Sequence, residues 1–386
     1  MKYFLCFLVL IFSRLLSIAQ YNVVFKLGKY PLQHSQDSIF IAGNFNEWNP
    51  RNSSFSLSPA NESGFEIAVQ LQAGNYEYKC TRGSWKKVES LEKGNDNENH
   101  FFDINNDTTI IINITAWKDD FPALAGKHTA SKQVHVMDTA FLIPQLNRTR
   151  RIWIYLPEGY SKTNKRYPVL YMQDGQNLFD EATAAYGEWG IDECLDSLIK
   201  AGKQACIVVG IDNGPQRMTE YNPYDFEEFG KGEADQYLAF LVETLKPFID
   251  NKYRTLVDDG NTIIAGSSMG GLVSYYAMMI YPKVFGKAGI FSPSFWAAPN
   301  IKQLTDSLAK AVSGKFLFYM GEKEGDSMVK DMEEVQELLG EKSSAMIYSV
   351  IDPLGRHNEK AWRKWFPEFY IWMMANGYNT VIKVDN

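Results

Sequence analysis

Residues 261–271 read Asn261-Thr262-Ile263-Ile264-Ala265-Gly266-Ser267-Ser268-Met269-Gly270-Gly271. A short run of β-branched and small apolar residues like 261–265 predicts a strand buried on both faces. The pattern G-x-S-x-G follows at once in Gly266–Gly270, and from Gly271 to Tyr281 the residues read as a helix. A serine set in so sharp a strand-to-helix turn is lifted above the end of the sheet. The flanking glycines let helix and strand approach closely, and the helix N-terminus offers N–H groups and a positive dipole end to a developing oxyanion. Ser268 is therefore the candidate nucleophile, and the backbone N–H of Met269 a candidate oxyanion donor.

A serine hydroxyl is a weak nucleophile and needs a base. In a strand–G-x-S-x-G–helix fold the partners follow in the chain order serine, acid, histidine. His357, in Gly355-Arg356-His357-Asn358, is the single histidine after Ser268; it stands between the strand-like run Ala345–Ile351 and a helical pattern over 359–376. The acid belongs after a strand between the two. Gly314–Met320 is such a run, followed by Gly321-Glu322-Lys323-Glu324-Gly325-Asp326. Glu322 stands close to the strand end, and the residues alone do not separate Glu324 from Asp326. The second oxyanion donor should come from the loop after an earlier central strand. Tyr167–Met172 leads into Gln173-Asp174-Gly175-Gln176-Asn177, where the backbone of Gln176 is the candidate.

Outward from this motif, the chain shows two textures. From residue 133 onward, short apolar runs alternate with helical patterns, which predicts a mostly parallel sheet covered on both faces. Residues 20–118 carry β-branched and aromatic runs such as Ser38–Ala42, Phe65–Leu71, Tyr76–Cys80 and Thr108–Ile114, separated by Gly, Asn and Pro turns. That spacing predicts a small β-sandwich. Residues 119–132 read as a linker. The expected fold is an α/β-hydrolase domain preceded by a small all-β, immunoglobulin-like sandwich.

Residues 1–19 read as an export signal: Lys2 is followed by the apolar run Phe4–Phe12 and by Ser17-Ile18-Ala19, with small residues three before and one before a cut after Ala19. The run is too short to span a membrane. The expected location is periplasmic or extracellular. Cleavage removes Lys2 and Arg14 and takes the net charge from −7 to −9. An acidic chain without a basic stripe has no electrostatic case for nucleic acid. The cysteines left, Cys80, Cys194 and Cys206, are too few for a disulfide framework. No His/Cys/Asp cluster has metal-ligand spacing and no phosphate-cradling loop is present, so neither a metal nor a cofactor is expected.

Residues 134–378 resemble the esterase D-like family of α/β-hydrolases, which includes carbohydrate esterase family one, feruloyl esterases among them, and enterobactin-type siderophore esterases. The resemblance rests on the Tyr167-Pro168-Val169-Leu170-Tyr171 strand with its Asp174-Gly175 loop, on Ala265–Gly271, on Phe291-Ser292-Pro293-Ser294-Phe295-Trp296, and on the Gly-x-His ending. It implies a serine ester hydrolase without cofactor. It also implies an acid three residues after a strand-end glycine, which selects Glu324 over Asp326. This chain departs from the family in carrying Glu there and Asp-Gly rather than His-Gly at the oxyanion loop. The N-terminal region resembles starch- and glycogen-binding carbohydrate-binding modules, through Ile41-Ala42-Gly43-Asn44-Phe45-Asn46-Glu47-Trp48-Asn49-Pro50 and Tyr76–Trp85. That resemblance implies a sugar platform of Trp48 and Trp85, partly exposed and roughly coplanar, with Lys79 as a polar contact.

Three functions follow for testing. One is cleavage of feruloyl or acetyl esters on plant polysaccharide, with Trp189, Phe295 and Trp296 as candidate walls of an acyl pocket. Another is a siderophore or other small-molecule esterase whose N-terminal domain is a structural cap. The third is a non-catalytic glycan-binding protein, which the intact Ser268, His357 and Glu324 set disfavours. The expected partners are a polysaccharide or an acylated small molecule.

Overall fold

The computed structural model describes residues 20–46, 48–57, 65–95, 97, 99–121, 127–184, 187–226 and 230–375. The expected signal at 1–19, Glu47, residues 122–126 of the expected linker and Asn376 lie outside the described residues. The chain divides into two compact units, residues 1–123 and 124–386.

In the first unit, alternation of apolar and polar residues sets one face of each strand inward. Gln20–Leu27 pairs antiparallel with Glu66–Gln72 and parallel with Thr108–Ile112. A second sheet runs in the order Ser56–Leu57, Ile39–Gly43, Gly74–Thr81, His100–Ile104, antiparallel throughout. Between the two lie Val23, Phe25, Ile39, Ile41, Leu57, Tyr78, Cys80, Ile112 and Trp117, all buried. Phe25 sits at the centre, edge-on to Tyr78 and Phe102. This is the all-β sandwich.

The second unit is built on one eight-stranded sheet. Its strands are β1 (Val134–Ile143), β2 (Arg148–Tyr155), β3 (Val169–Gln173), β4 (Ile207–Ile211), β5 (Thr262–Ser267), β6 (Lys287–Phe291), β7 (Lys315–Gly321) and β8 (Met346–Asp352). They lie in the order β1-β2-β4-β3-β5-β6-β7-β8. The β1–β2 and β2–β4 pairs are antiparallel, and every pair along the rest of the order, from β4–β3 to β7–β8, is parallel. Residues in β3, β4 and β5 are buried throughout, as a sheet covered on both faces requires. One apolar cluster, including Tyr171, Ile264, Leu272 and Phe318, fills one side; a second, including Leu170, Ile263, Phe291 and Phe369, fills the other. The helices that matter below are α1 (Ile191–Lys200), α2 (Met269–Ile280), α3 (Asp326–Lys342) and α4 (Glu359–Met374).

The chain leaves β3 for β4 on one side and later places β5 on the other. In an open parallel sheet, such a reversal opens a crevice at the carboxyl ends of the two strands, where ligands bind. The loop after β3 and the turn after β5 both open there.

One helix differs from expectation. The pattern over 233–251 predicts a single helix, but Ala234–Ala239 and Lys246–Lys252 are joined by a π-helical stretch, Phe240–Leu245. Pro247, the second residue of the helix that follows, has no N–H to return to residue 243, so the regular i→i−4 ladder cannot run through. Cys80 and Cys206 are buried and Cys194 half-buried, all as free thiols. Burial pushes the Cys194 thiol up to about 11 and that of Cys206 to about 12, which keeps both inert as nucleophiles.

Candidate active site

Ser268 sits between β5 and α2 with φ 58° and ψ −124°, a conformation that an L-residue adopts only under constraint. The constraint is close packing. A Cβ on Gly266 would stand 2.7 Å from the Gly270 carbonyl carbon, and one on Gly271 would stand 2.8 Å from the Phe291 oxygen. Only glycine lets the helix start this near the strand. Ser268 is also tied at both ends of its peptide unit: its N–H donates to Phe291 O at 2.9 Å, and its carbonyl accepts from Ser294 N at 3.2 Å and from Leu272 N at 3.0 Å. Its hydroxyl lies 3.2 Å from Ser294 Oγ. Met269 opens α2, whose first-turn N–H groups have no acceptor within the helix.

His357 follows β8, held by Asn358, which caps α4 by accepting from Ala361 N at 3.0 Å. Its Nδ1 lies 2.7 Å from Glu324 Oε2. A carboxylate accepts only, so Nδ1 carries the proton and Nε2 is left as the basic nitrogen. Of the three competing carboxylates, Glu324 is the one the structure places against His357. Its side chain is 1% exposed, whereas Glu322 and Asp326 are exposed. Asp326 instead begins α3, where a negative charge complements the helix dipole.

Glu324 Oε1 receives two further donors, Gly321 N at 2.9 Å and Ser292 Oγ at 2.7 Å. Ser292 in turn accepts from Trp362 Nε1 at 2.8 Å. The segment 292–294 thus bridges the serine turn to the acid and histidine. Sequence reasoning singled out neither Ser292 nor Trp362 for a role; the positive φ of Ser292, 42°, has no sequence signal outside glycine.

The loop after β3 is pinned by a pair the sequence did not reveal either. Asp174, in the left-handed region at φ 57°, accepts from Arg217 Nε and Asn213 Nδ2, each at 2.7 Å, and from the second Arg217 nitrogen at 2.8 Å. Gln176 lies in the turn that follows. Its side-chain oxygen accepts from Asn213 N at 3.1 Å and its carbonyl from Thr183 Oγ1 at 2.7 Å, which fixes the turn's orientation. Asn177 reaches across to Glu359 Oε1 at 3.3 Å. Glu359, the first residue of α4, is buried, and that burial pushes its carboxyl up to about 7, against an ordinary value of 4.5.

The three aromatic residues expected to line an acyl pocket fare differently. Trp189 is 2% exposed and stacks on Trp362 at 5.7 Å, and Phe295 is 3% exposed, edge-on to Tyr275. Both are accounted for by core packing. Trp296 is half-buried. In the first unit Trp48 and Trp85 are half-buried, with ring centroids 6.3 Å apart and planes tilted by 43°, so the pair is close but not coplanar as expected. Trp48 has φ 57° and its N–H donates to Gly43 O at 2.8 Å, which fixes the turn that carries it. Lys79 is buried opposite Ala42 in the sheet, so burial withdraws it from the solvent that reaches the tryptophans. Among the described residues no group of three or more His, Cys, Asp or Glu side chains could hold a metal ion. No described helix is long and apolar enough to cross a membrane.

The family model described as "Putative esterase" matches residues 143–373. The Bacillus subtilis protein YbbA, itself uncharacterised, is 26% identical over 249 residues, covering 60% of this chain and 95% of that one. An endo-1,4-beta-xylanase/feruloyl esterase of Xylanibacter ruminicola is 31% identical over 199 residues, half of this chain but 26% of that protein. Among solved structures, the enterochelin esterase of Shigella flexneri superposes with a TM-score of 0.53 at 15% identity over 87% of each chain, a likeness of fold. The match of the family model over more than half the chain places the protein in the esterase family of α/β-hydrolases, as a carboxylic ester hydrolase.

Proposed function

We propose that the protein is an exported serine esterase that cleaves acyl esters, feruloyl or acetyl, on plant polysaccharide, through an acyl-enzyme on Ser268. The observation that carries the catalytic part is the His357–Glu324 pair, 2.7 Å apart, on the strand ends that also present a strained Ser268. His357 Nε2 takes the proton of Ser268 as its oxygen attacks the ester carbonyl, then returns it to the leaving alcohol; water repeats the sequence on the acyl-enzyme. Glu324 holds the ring with Nε2 outward and stabilises the imidazolium. The N–H groups of Met269 and Gln176 receive the oxyanion. None of these steps needs a metal or a cofactor.

The substrate class is supported by the similarity to a xylanase/feruloyl esterase and by the half-buried Trp48–Trp85 pair. Two rings tilted by 43° suit a polymer whose successive sugars turn, rather than a flat ribbon. Residues 1–19 support export by their composition. One observation favours a second reading, a small-molecule esterase such as a siderophore hydrolase. The enterochelin esterase alignment covers 87% of this chain, more than residues 124–386 alone supply, so part of the sandwich too has a counterpart there.

An ester panel decides between them: methyl ferulate, acetylated xylan, short nitrophenyl esters and a catecholate trilactone. The first reading expects feruloyl or acetyl esters to give the highest kcat/KM. It also expects Trp48→Ala with Trp85→Ala to lower activity on polymer while sparing soluble esters. Preference for the trilactone, with no polysaccharide retained by the wild type, selects the second.

A further inference from the structure

The acid of the site is a glutamate, whose three side-chain torsions leave its carboxylate much freer than one hydrogen bond to His357 can control. The structure supplies the missing constraint from an unexpected direction. Trp362 Nε1 donates to Ser292 Oγ (2.8 Å), and Ser292 Oγ donates to Glu324 Oε1 (2.7 Å). Glu324 Oε2 then accepts from His357 Nδ1 (2.7 Å). Gly321 N adds a second donor to Oε1 at 2.9 Å. With Oε1 doubly bonded, Oε2 is the oxygen left to face the imidazole.

Every member short of the histidine is buried: Ser292 is 0% exposed, Trp362 4% and Glu324 5%. A hydroxyl has one proton, so the direction of the relay is set by its ends. Indole N–H only donates and carboxylate only accepts, which leaves Ser292 a single arrangement. Ser292 holds this place at φ 42°, a conformation costly for a residue with a Cβ, and its N–H is anchored to Tyr319 O at 2.7 Å. Trp362 acts twice, because its ring also stands edge-on to the His357 ring, 5.1 Å away at 84°. It is backed by Trp189, whose ring stacks on that of Trp362 at 27°.

We infer that Ser292 and Trp362 are positioning residues for the acid–histidine pair, extending the triad into a relay of Trp362, Ser292, Glu324 and His357. This rests on the triad reading above. Neither residue touches the reacting atoms; Ser292 acts through Glu324, by fixing which oxygen faces His357 and how closely, and Trp362 acts through Ser292 and by its edge-on contact with the His357 ring.

The test uses Ser292→Ala and Trp362→Phe in the full chain, with two readouts. Ser292→Ala keeps the Cβ and so the backbone strain, removing the hydroxyl alone; Trp362→Phe keeps an aromatic ring and removes the N–H, and serves if the first variant does not fold. Each should lower kcat roughly tenfold to a hundredfold, the scale of one hydrogen bond to a charged group, with KM little changed. The acidic limb of the kcat/KM profile should move to lower pH, because a loosely held carboxylate stabilises the imidazolium less. In a Glu324→Ala background, Ser292→Ala should cost nothing further, since its effect runs through that carboxylate. The second readout does not depend on turnover. The downfield proton signal of His357 Nδ1–H, assigned by its absence in His357→Ala, should broaden or shift upfield in Ser292→Ala. An unmoved signal with unchanged kcat, or an equal loss of kcat in the Glu324→Ala background, overturns the relay. If the signal responds while the wild type cleaves no ester, the relay stands and the esterase reading fails.

Discussion

At the scale of single residues, Ser268 is the point where a backbone cost and the proposed chemistry meet. Ser268→Ala keeps the Cβ at φ 58° and removes an oxygen that lies 3.2 Å from the Ser294 hydroxyl. Hydrolysis should vanish, while stability changes by no more than about 0.5 kcal/mol, the usual range away from core volume; thermal unfolding beside an ester assay checks both. Glu324→Gln should lower kcat by roughly three to four orders of magnitude, the scale of removing a triad carboxylate's charge, whereas Asp326→Asn, exposed at the start of α3, should change it less than about twofold. Parallel kinetics on the two variants test the ranking, and the reverse order would move the acid. Ser268, His357 and the short list of acids were legible because chain order and uniqueness constrain them. Glu324 was separated from Asp326 by resemblance and not by residue chemistry, since three residues of loop carry no periodicity. Ser292, Trp362, Asp174 and Arg217 were illegible as partners: their contacts join residues 32 to 70 positions apart, and no local pattern encodes such a pair.

At the scale of elements, the β5–Ser268–α2 unit depends on glycines that bring a helix onto two strands. Gly271→Ala would set a methyl 2.8 Å from Phe291 O and 3.3 Å from Gly266 O. The strand carbonyls are fixed by the sheet, so α2 must move. The expected cost is about 1–3 kcal/mol of stability, together with a fall in kcat, because Met269 N moves with the helix. Denaturant unfolding and kinetics on one preparation check both; unchanged values would show that the helix has room. The strand–helix alternation of this unit was readable to within a few residues because fully buried strands and amphipathic helices differ in length and period. Two kinds of element escaped. β1 lies at the sheet edge, half exposed and broken by register shifts near Asp138, so its residues show no clean alternation. The π-helical turn at Phe240–Leu245 keeps an apolar pattern that looks continuous in sequence.

At the scale of the whole molecule, stability should carry a mark of the buried carboxyl beside the site. Glu359 has its folded value raised to about 7 from 4.5 by burial, with His357, Asp174 and Arg217 as its titratable neighbours. The folded state therefore holds a proton that the unfolded chain releases above pH 4.5. Its stabilising contribution is complete below that pH and is lost progressively as pH rises toward about 7, in total on the order of 3 kcal/mol. Asp192, also buried and raised to about 7, adds in the same direction. Glu359→Gln, which keeps the shape and removes the titration, should flatten the fall in stability between pH 4.5 and 7; chemical unfolding at a series of pH values measures it, and an unchanged slope would assign the effect elsewhere. The proposed chemistry runs through an acyl-enzyme on one serine. Its most direct test is mass spectrometry of the intact chain, quenched during turnover of an activated ester and then digested. A single added acyl group is expected on the peptide bearing Ser268, absent from Ser268→Ala; turnover with no acyl group there, or with the label on Ser267 or Ser294, would rule out Ser268 as the nucleophile.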